Sequence, residues 1–289
     1  MRGGETPPGF KERRLTAQDG LDLYYRDYGD RRAAAVPLLC LSGLTRNSHD
    51  FERFSLQRAA ERRVLSPDYR GRGRSAYAID WHAYNAAAYI GDVLSLLAAT
   101  GVARCIVVGT SMGGILGMAL CALRPTAIAG LILNDIGPDV GDAGLARIID
   151  FIGTDRPQPD WGTAERFMRE ALKHLPMKDD ESWRDLTRGT FSEGKDGLLH
   201  FDYDVNLVKA LLADRAATPD LWPLFRAARR LPVLVLRGEA SDVLTEDGVA
   251  RMLAEKPDLM HVTVPERGHV PSLTEPASRQ VIDEFLARF

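Results

Sequence analysis

The stretch Ile106-Val107-Val108-Gly109-Thr110-Ser111-Met112-Gly113-Gly114-Ile115-Leu116-Gly117 decides the fold of this chain. A β-branched apolar run leads into Ser111, which has a glycine two residues before it and another two residues after it. A run of small and apolar residues follows. This order predicts a strand, a sharp turn at Ser111 and a helix that starts directly after the turn. Such a turn holds the serine in a strained backbone conformation, with its hydroxyl above the sheet. The motif Gly-x-Ser-x-Gly is common, so on its own it fits an ordinary strand–helix joint equally well.

Composition excludes several classes of function. The chain has 289 residues, of which 45% are hydrophobic and 27% charged, and this balance is typical of a globular enzyme. A formal net charge of -3 and a pI near 6.1 argue against nucleic acid or an anionic membrane as a partner. No apolar run reaches the length of a membrane span, and residues 1–9 lack the apolar core of a signal peptide.

The three cysteines lie inside apolar patterns: Cys40, Cys105 and Cys121. We expect buried, reduced thiols, which favour a cytoplasmic location. No cluster of histidine, cysteine and acidic residues has the spacing of metal ligands, so neither a metal nor a cofactor is predicted.

Predicted strands and helices alternate from residue 36 onward. Strands are predicted at Val36–Leu41, Val64–Pro67, Cys105–Val108, Ile128–Leu133, Pro232–Leu236 and His261–Val264. The helical patterns between them indicate an α/β fold with a mostly parallel, doubly wound sheet. A hairpin turn at Asp19-Gly20 predicts two short strands before this sheet, around Glu12–Thr16 and Leu21–Tyr28. We expect residues 1–137 and 230–289 to form the core domain.

Residues 138–229 interrupt the alternation. They contain no convincing strand pattern, several prolines and three of the four tryptophans, so we predict a helical cap insertion. Its aromatic residues could cover a pocket. Alternatively, they build a small core for the insertion itself, which is the better interpretation for any single one of them.

A serine hydroxyl needs a base before it can act as a nucleophile. In a parallel sheet, reactive groups lie beyond the carboxyl ends of the strands. Asp135, Asp242 and His269 each follow a predicted strand in this way. Of the six histidines, only His269 does so, and it is therefore the candidate base.

These motifs together resemble those of the α/β-hydrolase superfamily. Gly109–Gly113 is similar to the nucleophile elbow, the turn at Asp242 to the acid turn, and Gly268-His269 to the histidine loop. Residues 68–75 match the D-x-R-G-x-G-x-S stretch of many members that carry a helical cap. The resemblance covers residues 12–289, and it implies the α/β-hydrolase fold with a catalytic serine, acid and histidine.

Two carboxylates compete for the role of the acid. Asp242 is preferred because its turn resembles the common pattern of the superfamily. Asp135 is the alternative, since some members carry the acid at that position. Asp135 also has a possible structural role as a cap for the next segment, and this favours Asp242 as the acid.

The oxyanion hole implied by the resemblance combines the N–H of Met112 with the N–H of Leu44. Members of the superfamily usually have His-Gly before the second donor, whereas this chain has Ser42-Gly43. Serine cannot make the contacts of an imidazole, so we expect this departure from the usual sequence to change the stiffness of the loop.

The sequence therefore predicts a hydrolase that cleaves a carboxylic ester through an acyl-serine intermediate, without a cofactor or metal. Carbon–carbon bond hydrolases, lactonases and cofactor-free haloperoxidases share the same parts and stay open as alternatives. A receptor-like protein that binds a ligand with little turnover is the non-enzyme alternative. The expected partner is a small hydrophobic ester-like substrate, and the sequence leaves a homo-oligomer open.

Overall fold

The computed structural model describes residues 9–141, 149, 151–173, 175–177, 179–214 and 220–289. Eight strands form one sheet in the order β1-β2-β4-β3-β5-β6-β9-β10. Their bounds are β1 Phe10–Thr16, β2 Asp22–Tyr28, β3 Leu38–Leu41, β4 Val64–Pro67, β5 Cys105–Thr110, β6 Ile128–Asn134, β9 Val233–Gly238 and β10 Met260–Val264. The pairs β1–β2 and β2–β4 are antiparallel, and the other neighbours are parallel.

Helices cover both faces of this sheet. Those between or after its strands are α1 Glu52–Arg58, α2 Ala86–Thr100, α3 Met112–Leu123, α8 Glu246–Glu255 and α9 Pro276–Leu286. Short 3₁₀ turns at Ser48–Phe51 and Trp81–Ala83 precede the first two helices. The strands alternate their side chains between the faces: Val107 packs with α2 and α3, whereas Ile106 and Val108 pack with α1 and α9. The prediction of an α/β fold with a mostly parallel sheet is confirmed.

The strands are offset slightly from their predicted limits. The third starts at Leu38 rather than at Val36, and the first starts at Phe10 rather than at Glu12. The offset of the third strand is small because its burial on both faces makes the apolar run visible in the sequence. The first strand is mostly exposed, and its pairing with β2 defines its limits instead.

The segment of residues 138–229, here called the inserted segment, lies between β6 and β9. Its described helices are α4 Trp161–Ala171, α5 Asp180–Arg188, α6 Leu207–Asp214 and α7 Trp222–Ala227. Strands β7 Phe191–Glu193 and β8 Leu199–Phe201 form a separate antiparallel hairpin. The expectation of no strand here is therefore wrong, because three-residue strands are too short to show a period. The division into core and cap domains stays a prediction.

Aromatic rings of the inserted segment pack mainly on one another. Ring centroids lie 5.1 to 6.4 Å apart within the group Phe151, Phe167, Phe191, Phe201 and Tyr203. Arg156 lies over two of these rings. This group supports the second interpretation of the aromatic residues, in which they form a small core of their own.

Close backbone contacts fix the start of α3. A Cβ on Gly113 would overlap with the carbonyl oxygen of Leu41 and lie 2.8 Å from that of Ser42. A Cβ on Gly109 would lie 2.5 Å from the carbonyl oxygen of Gly113. Strand β5, helix α3 and the end of β3 can meet only because both positions lack side chains.

We expect Gly113→Ala to destabilise the protein by about 3 kcal/mol or more, because the new methyl group meets backbone rather than a side chain that could move. Denaturant unfolding of the purified variant measures this loss. Gly91→Ala in α2 is the matched control, since nothing lies within 4 Å of its added Cβ. That substitution should be neutral or stabilising by about 1 kcal/mol. Equal stability of the two variants would contradict the packing argument.

Candidate active site

Ser111 occupies the turn between β5 and α3 in a conformation that side chains rarely adopt, with φ of 51° and ψ of −119°. Its N–H donates to the carbonyl oxygen of Asn134, 3.1 Å away, which ties the turn to the neighbouring strand β6. A non-glycine residue in such a conformation costs about 1–3 kcal/mol. The predicted strand, turn and helix around the serine are confirmed, and the strain marks this turn as a candidate functional position.

His269 lies in the loop after β10 and faces Ser111. Its Nε2 is 3.1 Å from Ser111 Oγ, and its Nδ1 is 2.7 Å from Asp135 Oδ2. An ionised carboxylate can only accept a hydrogen bond, so Nδ1 carries the hydrogen and Nε2 is left to accept the serine proton. The imidazole is 10% exposed, so little water reaches this chain of hydrogen bonds.

Asp135 is completely buried directly after β6. Its Oδ1 accepts from the N–H of Gly238 at 2.8 Å, and its Oδ2 accepts from Ser241 Oγ at 2.5 Å as well as from His269. Hydrogen bonds to an ionised acceptor are stronger than neutral ones, so these donors compensate the buried charge. They also hold the carboxylate in one orientation towards the imidazole.

The preference for Asp242 as the partner of His269 is corrected by this geometry. In the turn after β9 it is Ser241 that points inward, whereas the side chain of Asp242 is exposed. The hydrogen of His269 Nδ1 is directed to Asp135, the alternative that the sequence left open. The suggested capping role of Asp135 is not seen either, since its oxygens bond to β9, to the turn after it and to His269.

Residues 42–47, here called the β3 loop, lie beside Ser111. A Cβ on Gly43 would be 3.7 Å from Ser111 Cβ, so the backbone of this loop passes close to the serine. Leu44 is the next residue and is partly exposed. On the other side, Met112 is the first residue of α3, and the first N–H groups of a helix have no acceptor within it. Both predicted backbone donors therefore lie on segments that flank the hydroxyl.

Side chains replace the missing imidazole in stiffening the β3 loop. Ser42 Oγ donates to the carbonyl oxygen of Arg46 at 3.0 Å and closes the loop on itself. Arg46 also bonds to Asp50 and to Thr190 of the inserted segment. Arg72 Nε donates to the carbonyl oxygen of Leu44 at 2.7 Å. The departure from the usual His-Gly sequence is thus accompanied by a different set of hydrogen bonds.

Sequence reasoning missed two residues that join these segments. Asn134 Nδ2 donates to Thr110 Oγ1 at 3.1 Å and to the carbonyl oxygen of Pro271 at 2.9 Å, so one amide links β5, β6 and the loop of His269. Ser241 is the second, through its bond to Asp135. The available signal was position alone: each polar residue lies at or just after the end of a strand in the central sheet.

A partly buried carboxylate, that of Asp202, also connects the inserted segment with the β3 loop. Asn47 Nδ2 donates to Asp202 Oδ2 at 2.7 Å. Burial, with a smaller contribution from the negative charge of Asp68, raises the pKa of Asp202 to about 6. Hydrogen bonds from Ser192 and Asn47 and the positive charge of Arg46 oppose this rise. Asp202 therefore titrates well above the range of an ordinary aspartate.

Other kinds of site find little support in the described residues. Within the described ranges, no three or more histidine, cysteine, aspartate or glutamate side chains are grouped so that they could hold a metal ion. Every helix in that part of the chain falls short of the length and apolar character needed to span a membrane. The three cysteines are buried and unpaired.

Comparison with known proteins gives matches over nearly the whole chain. The model of the Alpha/beta hydrolase family matches residues 38–282. A 3-hydroxybutyrate-oligomer hydrolase from Cupriavidus necator is 32% identical over 274 residues, which are 91% of this chain and 92% of that protein. A 2-(acetamidomethylene)succinate hydrolase from Mesorhizobium japonicum is 24% identical, over 88% of this chain and 90% of that protein.

A solved structure is similar in fold and sequence. The crystal structure of an alpha/beta hydrolase from Novosphingobium aromaticivorans superposes with a TM-score of 0.93 and is 41% identical, covering 98% of this chain and all of that one.

We expect Asp135→Asn to slow the labelling of Ser111 by a serine-directed phosphonate by at least about 100-fold, because an amide cannot hold the tautomer that leaves Nε2 free to accept. Asp242→Asn is the matched control and should label within about threefold of the wild-type rate. Mass spectrometry of the labelled peptide over time gives both rates. The opposite ranking of the two variants would restore Asp242 as the acid.

A second prediction concerns the pH dependence of stability. Because the pKa of Asp202 is raised in the folded protein, ionising this residue is costlier there than in the unfolded chain. The unfolding free energy of the wild type should therefore fall, relative to that of Asp202→Asn, as the pH rises from about 4 to about 6, by at most about 3 kcal/mol. Above that range the difference should stay constant. Denaturant unfolding of both proteins at each pH tests this, and a difference that stays constant from about pH 4 to about pH 6 would contradict the prediction.

Proposed function

This chain belongs to the alpha/beta hydrolase family, and from that premise we propose that it is a serine hydrolase that cleaves carboxylic esters through an acyl-serine intermediate. The observation that carries the proposal is the chain of hydrogen bonds from Ser111 through His269 to Asp135. A protein that only binds a ligand has no need of a nucleophile, a base and an orienting acid in one line.

In the proposed reaction, Ser111 Oγ attacks the ester carbonyl carbon while His269 Nε2 takes its proton. The tetrahedral intermediate collapses, and the imidazolium returns that proton to the leaving alcohol. A water molecule then gives a proton to Nε2 and attacks the carbonyl carbon of the acyl-serine. The second tetrahedral intermediate collapses and releases the acid, while the imidazolium returns its proton to Ser111 Oγ. Asp135 keeps the imidazole oriented and stabilises its positive charge in both halves of the cycle.

The negative charge on the carbonyl oxygen needs donors that are in place before the reaction. We assign this role to the N–H groups of Leu44 and Met112. The N-terminal end of α3 adds the positive end of the helix dipole on the same side. Loss of one such donor typically costs about 3–4 kcal/mol of transition-state stabilisation.

The names of two relatives indicate which substrates to test first. The protein from Cupriavidus necator that spans the same length is named for the hydrolysis of 3-hydroxybutyrate oligomers. Short aliphatic oligoesters of hydroxy acids are therefore the first class that we propose, within the broader class of small hydrophobic esters. The protein from Mesorhizobium japonicum is named for a different substrate, so the core machinery alone does not decide specificity.

The test is a panel assay on purified protein. We expect turnover of p-nitrophenyl esters with short acyl chains and of 3-hydroxybutyrate dimers and trimers. Ser111→Ala should lose at least about 10⁴-fold in kcat, because the nucleophile is removed. Ser95→Ala is the control and should keep wild-type rates, because the Ser95 hydroxyl donates to the carbonyl oxygen of Gly91 in its own helix, α2.

The panel also contains lactones, vinylogous diketones and a peroxide-dependent halogenation assay, which separate the alternatives. Turnover confined to lactones, to vinylogous diketones or to peroxide-dependent halogenation would replace ester hydrolysis by the corresponding chemistry on the same three residues. Binding of esters with neither turnover nor phosphonate labelling of Ser111 would favour the receptor-like interpretation. A fully active Ser111→Ala variant would refute the proposed mechanism altogether.

A further inference from the structure

Three arginines alternate with glycines in the stretch Arg70-Gly71-Arg72-Gly73-Arg74, and the structure gives them different partners. Arg70 forms ion pairs with Asp92 and Asp19, at 2.7 and 2.6 Å. Arg74 forms one with Glu12. Among the described residues, the hydrogen bonds of Arg72 go only to neutral acceptors, and none goes to a carboxylate.

Arg72 is also the most deeply buried of the three, with no exposed surface. Nε donates to the carbonyl oxygen of Leu44 at 2.7 Å, and Nη1 donates to the carbonyl oxygen of Arg70 and to Tyr89 Oη, both at 2.8 Å. The guanidinium lies 4.6 Å from the ring centroid of Tyr89 and 5.6 Å from that of Tyr69. Nη2 is buried and has no hydrogen-bond partner among the residues that the structure describes.

A buried charge without a counter-ion is costly, and neutral acceptors and aromatic faces offset the cost only in part. Natural proteins keep such charges mainly where function uses them. The shortest hydrogen bond of the Arg72 guanidinium goes to the carbonyl oxygen of Leu44, the residue whose N–H we assign to the oxyanion hole. A negative charge that develops beside Leu44 would supply the missing counter-charge.

We propose that Arg72 is a positioning residue of the oxyanion hole, which holds the Leu44 peptide in place and provides a positive charge behind it. This inference rests on the proposed function. The Gly43 that precedes Leu44 leaves the backbone free to rotate, so a hydrogen bond to the Leu44 carbonyl restricts the direction of the Leu44 N–H. In a site of low dielectric, the same charge favours the tetrahedral oxyanion over the neutral ester.

The test compares Arg72→Gln with the wild type on a short p-nitrophenyl ester. We expect kcat to fall by roughly 10- to 100-fold with KM within about threefold, because the lost interaction exists mainly in the transition state. The affinity for an alkyl boronate, which forms an anionic tetrahedral adduct on the serine, should fall by a similar factor. The affinity for the neutral product alcohol should stay unchanged. A merely structural role would not separate these two affinities.

Arg72→Lys keeps the charge and a flexible donor, so it should restore most of the kcat and of the boronate affinity. It also serves as the test if the glutamine variant does not fold, since the ammonium cannot bond to all three acceptors and should still lose a few fold in both quantities. Arg70→Lys is the matched control: its partners are Asp92 and Asp19, and it should leave the ratio of boronate to alcohol affinity unchanged.

Two results would overturn the inference: wild-type kcat and boronate affinity in folded Arg72→Gln or Arg72→Lys, or equal losses in boronate and alcohol affinity. Failure of the proposed function looks different, because wild-type protein would then resist phosphonate labelling at Ser111 and the inference would fall with it. Labelled, active wild type with unaffected Arg72 variants would reject the role of Arg72 alone.

Discussion

The contact between the start of α3 and the end of β3 is the constraint on which the rest of the site depends. Gly113 lies against the backbone of Leu41 and Ser42, and Gly109 lies against Gly113, so strand, helix and neighbouring strand meet without side chains between them. The chain can reach this arrangement only by passing through Ser111 with a positive φ. Because the helix begins there, its free N–H groups and the β3 loop lie on either side of the serine hydroxyl.

The position of the acid follows from the order of the strands. β6 lies between β5, which carries the serine, and β9, so a carboxylate after β6 is closer to the nucleophile's strand than one after β9. Asp135 also adopts a positive φ, of 56°. The end of β9 and the turn after it still contribute, through the N–H of Gly238 and the hydroxyl of Ser241. The turn that resembles the usual acid turn therefore supports Asp135, the carboxylate that follows the neighbouring strand β6.

Sequence patterns predicted the features that depend on burial and on strand ends. The alternation of apolar runs located the parallel sheet, and the Gly-x-Ser-x-Gly motif pointed to Ser111. The search for ionisable groups beyond strands selected His269 and both candidate acids. The choice between Asp135 and Asp242 depends on which way one turn directs its side chains, and nothing in the local sequence records that direction. The sequence also does not show that Arg70 and Arg74 form ion pairs whereas Arg72 bonds to neutral acceptors. The acidic partners are distant in sequence: Asp19, Asp92 and Glu12.

The buried charges around Ser111 are separated in a way that suits the proposed chemistry. The negative charge of Asp135 lies beneath His269, where the proton of the serine goes, and it is held by a backbone N–H and a hydroxyl rather than by a cation. The positive charge of Arg72 contacts the carbonyl oxygen of Leu44, whose N–H is the donor proposed for the oxyanion hole. An ion pair with either residue would weaken its electric field, because the field of a dipole falls off faster with distance than the field of a single charge. Neither Asp135 nor Arg72 has a cation or carboxylate, respectively, bonded to it among the described residues. In the proposed reaction, each charge would then act on the opposite charge that appears only during the reaction, and such interactions stabilise the transition state more than the ground state.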